Sequence, residues 1–153
     1  MANTSVRLGF IASLLIFLTS LLLLASGSPV LVLSLSDTMG LPLGNVIAWL
    51  GMLSLVLMIW FASPGLRQSP TATDRFYRGI WIVLLVLALA WPLVSYALAG
   101  NWEFSFRRRD VFQGSGEAAT WFFRYSFTVM LLPLVFAGVR TLHVGWARWT
   151  DRH

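Results

Sequence analysis

The chain has 153 residues and no cysteine; 58% of the residues are hydrophobic and only 11% are charged. A soluble domain is about 25% charged, so this composition excludes a disordered or collagen-like chain and points to a membrane protein, while the missing cysteine excludes a disulfide scaffold, an iron–sulfur cluster and a thiolate zinc site. All eleven basic residues are arginine, six acids leave a net charge of +5, and these charges sit between apolar stretches, so they read as topology and headgroup signals rather than as a nucleic-acid surface.

A helix needs about 20 largely apolar residues to cross a bilayer core of about 30 Å. Four segments meet that test, at about 8–25, 45–62, 79–99 and 120–139. Each is apolar all round rather than striped, as lipid-embedded helices are. The expected fold is therefore all-α, a polytopic membrane protein of four transmembrane helices forming one domain over residues 1–153.

The first segment also resembles a signal peptide, with Arg7 before an apolar run and small residues at Ala25-Ser26-Gly27-Ser28. Its apolar run exceeds the 7–15 residues typical of a cleaved leader, roughly, so a retained helix is expected. The connection that follows, from Ser26 to Gly44, holds a single charge, Asp37. Within it Val30 to Leu35 alternates in period two. So does Trp102-Glu103-Phe104-Ser105-Phe106, on the same side of the membrane, which allows the two to pair as a small sheet. An equally good reading lets Val30 to Leu35 dip into the headgroup layer instead.

Residues 63–78 carry Arg67, Asp74, Arg75 and Arg78. The third segment contains Pro92, and Trp91, Pro92, Ser95 and Tyr96 form the most polar patch at mid-membrane depth. A ligand held within the bilayer is expected there first. The connection from Gly100 to Ala119 is the longest, and it contains Arg107-Arg108-Arg109-Asp110. Guanidinium forks bind phosphate and carboxylate bidentately, so Arg107, Arg108, Arg109 and the nearby Arg124 are candidates for an anion or lipid headgroup. The competing reading is a solvated loop whose charges pair with Glu103, Asp110, Glu117 and headgroups. Arg124, one turn inside the fourth segment, is placed to snorkel to the interface.

Ser115 and Glu117 suit a helix start, so the fourth helix is expected to run from about 116 to 145, with Pro133 inside it. On that extension Arg140, His143 and Ala147 share a face, a basic stripe toward anionic lipid. Seven arginines (7, 67, 75, 78, 140, 148, 152) then lie on one side and four (107, 108, 109, 124) on the other. Positive charge favours the cytoplasm, which places both termini inside and the long third connection outside. Seven of the eight tryptophans fall near segment ends, where interfacial belts form. Small residues, Gly9/Ser13 and Ala48/Gly51, are the expected helix contacts.

Several chemistries lack their residues. No acid lies inside a span, so no acidic proton relay is available. His143 and His153 fall at one end, so one chain cannot supply two axial ligands to a haem in the bilayer. No HExxH, G-x-S-x-G, P-loop or G-x-G-x-x-G is present. No catalytic residue, metal ligand set or cofactor is expected. Three roles remain. The foremost is a non-catalytic accessory or assembly subunit of a larger complex, whose partners are another membrane protein and lipids, not nucleic acid. The second is a transporter or lipid-handling protein using the outer arginines. The third, with least support, is an enzyme acting on a lipid or quinone. Short loops and the arginine bias fit a bacterial inner membrane.

Overall fold

A computed structural model describes residues 4–36, 40–68, 70–102, 106 and 112–150. It is mostly helical. Helix α1 spans Thr4–Ser26, α2 Leu43–Ala62, α3 Pro64–Gln68, α4 Ala72–Ala99 and α5 Gly116–Thr150. The four longer helices are long and apolar enough to cross a membrane.

Local chemistry explains where the helices begin and end. Thr71 caps α4: its Oγ1 accepts from the Asp74 amide at 3.0 Å, while its hydroxyl donates to Asp74 Oδ2 at 2.9 Å. This reciprocal cap starts α4 seven residues before the expected position 79, because a capped amphipathic turn needs no apolar run. At the other end Gly100 takes the left-handed conformation, φ 76°, and its N–H bonds the Tyr96 carbonyl, a helix stop that favours glycine. Ser115 Oγ accepts from the Ala118 amide at 3.1 Å, so α5 does begin at Gly116. It continues to Thr150, and its 35 residues make a rod of about 52 Å at 1.5 Å per residue.

The segment between α1 and α2 differs from expectation. Pro29–Val32 forms a 3₁₀ turn capped by Ser28. Strand β1, Ser34–Ser36, then pairs antiparallel with β2, Leu41–Pro42. This local hairpin closes a short loop, so little chain entropy is lost in forming it; the other pairing the sequence allows is with the stretch 102–106. Of that second stretch, 103–105 lie outside the described residues.

The long helices alternate in direction. Gly9 faces Phe61 and Gly51 faces Ser20 between α1 and α2. Trp49 reaches Ala88 and Trp81 reaches Val56 between α2 and α4. Tyr77 meets Phe136, and Trp91 meets Phe122, between α4 and α5. Helix α2 is the hub and the most buried of the four; α1, the least buried, packs chiefly on α2. One apolar core joins Val56, Ile59, Leu66, Trp81, Leu84, Val129 and Phe136 toward the end where α1 begins and α2 ends. A second, around Ala48, Trp91 and Phe122, lies nearer the other end. Both cores depend on shape, since lipid is as apolar as a leucine side chain and supplies no hydrophobic drive between helices.

The α1–α2 contact uses small residues, as the sequence suggested. Ser13 and Ser20 are the buried residues of α1. A methyl group added at Gly51 would stand 2.9 Å from Ser20 Cβ, an atom fixed by the backbone. Gly51→Ala is therefore expected to push α1 away from α2 and to cost about 1–2 kcal/mol by overpacking. Gly9→Ala meets the movable ring of Phe61 and should cost less. Unfolding of both variants in mixed detergent micelles would show the ranking; equal losses would contradict it.

Candidate functional site

Of the four outer arginines, Arg107, Arg108 and Arg109 lie outside the described residues. Arg124 is exposed on α5, between Phe123 and Phe127, which are also exposed. Its guanidinium lies 5.5 Å from the centre of the Trp121 ring. Helical side chains lean toward the N-terminus, so the long arginine leans toward the near end of α5 and over the residue one turn back.

The patch at Trp91, Pro92, Ser95 and Tyr96 divides. Trp91 and Ser95 are one turn apart and buried, whereas Tyr96 is exposed and packs on Trp102 with ring centres 4.7 Å apart. Pro92 is half-buried and has no N–H, so the Ala88 carbonyl one turn back loses its helical donor. The Trp49 indole of α2 donates to that carbonyl at 3.0 Å. At the adjacent residues the Tyr125 hydroxyl donates to the Leu87 carbonyl at 2.7 Å, and the Trp91 indole donates to Ser126 Oγ at 2.9 Å. Helices α2, α4 and α5 are thus laced together around the proline, which explains how a helix breaker is tolerated within a span. The patch works as a structural joint. Trp49 and Trp81 likewise serve as cross-helix donors, Trp81 to the Val56 carbonyl at 3.0 Å, rather than as interfacial anchors.

The structure gathers a polar cluster at the opposite end that the sequence reading left dispersed. Arg140 does not face outward in a stripe. It turns into the bundle, where Nη2 donates to Asp74 Oδ1 at 3.4 Å, with side-chain exposures of 13% and 19% for Arg140 and Asp74. The guanidinium also lies 6.0 Å from the Tyr77 ring centre, and His143 meets the other reach of that ring at 5.8 Å. Helix α3 covers the pair at Gly65, where any Cβ would fall 2.6 Å from both Arg140 Nη2 and Asp74 Oδ1. A bare backbone is needed for that approach. Arg140 Nε and Arg67 Nε are buried with no acceptor among the described residues. One signal for this cluster was present in the sequence: Asp74 is the single acid of residues 63–78, among Arg67, Arg75 and Arg78, and a lone acid near a bundle of cations finds one of them.

Beside Arg140 opens a cavity of about 500 Å³ between α1, α2 and α5, lined by Phe10, Ile59, Ala62, Arg140, Thr141 and Gly145 among others. Among the described residues no three His, Asp or Glu side chains come together to hold a metal. The cluster can bind an anion or fix a helix register, and it offers no paired acid and base at a nucleophile. No family model, curated protein or solved structure matches the chain.

Proposed function

We propose that this integral membrane protein is a non-catalytic accessory or assembly subunit of a larger complex, docked through the outward face of α5. Both termini then face the cytoplasm, as the arginine distribution favours, in a bacterial inner membrane. Arg124 is the observation that supports this reading. It lies about two turns into α5, level with the Trp91–Ser126 and Tyr125–Leu87 bonds. Among the described residues its contact is the Trp121 ring. A charge costs on the order of 2.5–3.5 kcal/mol at a helix centre and less toward an end, and a charge within a span ordinarily faces protein. An acidic or carbonyl-rich transmembrane partner offsets that cost, and snorkelling alone offsets part of it.

The reading predicts a stoichiometric larger partner when the chain is extracted in a mild detergent. Arg124→Leu should lower partner recovery at least tenfold, about 1.4 kcal/mol, while the chain stays folded by circular dichroism. A photo-crosslinker at exposed Thr128 should mark a transmembrane segment of that partner. Recovery of only a monomer or homo-oligomer, or unaltered recovery with Arg124→Leu, would overturn it.

A further inference from the structure

The cavity at Arg140 lies where α2 ends at Ala62 and α1 is in its second turn at Phe10, the depth of the headgroup boundary when these helices span a bilayer. Its volume of about 500 Å³ falls within the roughly 300–1,000 Å³ of ligand pockets. The walls are mostly apolar, with Ser63 and Thr141 as neutral polar residues and Arg140 as the one charged side chain among them. The same three helices continue the seam deeper, where a shallower hollow is lined by Ser20, Leu55 and Met130. The opening is therefore a lateral groove between α1 and α5, floored by α2, with a cation at its headgroup end.

We propose that this groove seats one anionic bilayer phospholipid, its phosphate on Arg140 and one acyl chain along the α1–α5 seam. Charge identifies the occupant. Asp74 accepts from Nη2 alone, at 3.4 Å, and Arg140 lines the groove, so the guanidinium keeps donor capacity for an oxyanion. Arg7, Arg67, Arg75 and Arg78 lie at the same end, with Asp74 the one acid there among the described residues. That excess repels cationic groups and favours a net negative head over a zwitterion. The long apolar wall selects a lipid over a free anion. This site is separate from the α5 face carrying Arg124 and does not depend on the subunit reading.

Nanodiscs of equal phosphatidylcholine and phosphatidylglycerol give the test, followed by detergent extraction and native mass spectrometry. The wild-type chain should retain one phosphatidylglycerol with at least tenfold preference over phosphatidylcholine. Gly145→Phe should cut that retention at least fivefold. A Cβ at Gly145 meets nothing within 4 Å, and phenylalanine is a better helix former than glycine, so this variant fills the groove and leaves the ion pair alone. Thr141→Leu, at another exposed lining position, should act in the same direction. Arg140→Gln should abolish the preference between lipids. Equal retention of both lipids by the wild type, or unaltered retention by the folded Gly145→Phe and Thr141→Leu chains, would overturn the proposal.

Discussion

Asp74→Ala is expected to lower the free energy of unfolding in mixed detergent micelles by about 2–3 kcal/mol. Removing one partner of a buried pair costs about 3–5 kcal/mol because the other charge is left buried and alone. The lower figure applies because both side chains keep some access to solvent, 13% for Arg140 and 19% for Asp74. The helix start should survive, since Thr71 Oγ1 bonds the backbone amide of residue 74, which alanine retains. The variant also removes the exposed Thr71 hydroxyl bond to Asp74 Oδ2, a small term, so most of the loss reports on the stranded guanidinium under α3. The double variant Asp74→Ala/Arg140→Leu removes both charges and should recover most of the stability, because an apolar pair carries no desolvation penalty. A double variant as unstable as the single one would show that the ion pair is not the source.

Trp49→Phe should cost about 1–2 kcal/mol, near the upper range for interhelical hydrogen bonds in membranes. The replacement ring is aromatic but smaller, and it leaves the Ala88 carbonyl without a donor. That carbonyl is short of a donor only because Pro92 lacks an N–H. In a Pro92→Ala background residue 92 donates to it, so Trp49→Phe should then cost less than about 0.5 kcal/mol. The cycle cancels whatever else Pro92→Ala does to α4. Additive losses would mean that Trp49 acts through packing and not through its indole N–H.

The spans were legible because lipid imposes a crude requirement: about 20 apolar residues, with few charges. Hydropathy therefore placed α1 and α2 within a few residues of their ends and found the small-residue seam at Gly9, Ser13, Ala48 and Gly51. It placed the start of α4 too late because the Thr71–Asp74 cap is a local polar signal inside a charged stretch. Arg140 was misplaced for a different reason. On a bare helix it belongs to an outward stripe with His143, and only the arrival of Asp74 on α4 turns it inward. Periodicity along one helix carries no information about its neighbour. The division of the Trp91–Tyr96 patch has the same origin, since a span apolar on every face does not announce which side meets protein. Pro92 could be found in the sequence, but its donor, Trp49, lies 43 positions earlier and looked like an interfacial anchor.

The joint at Pro92 bears on how the chain is made. Trp49 is synthesised before Pro92, so when α4 leaves the translocon the donor for the Ala88 carbonyl already stands in the neighbouring helix. Tyr125 follows later, and its hydroxyl closes the second bond once the last span arrives. The proline of α4 thus enters the bilayer with its substitute hydrogen bond waiting, and the final helix is the one that completes the joint.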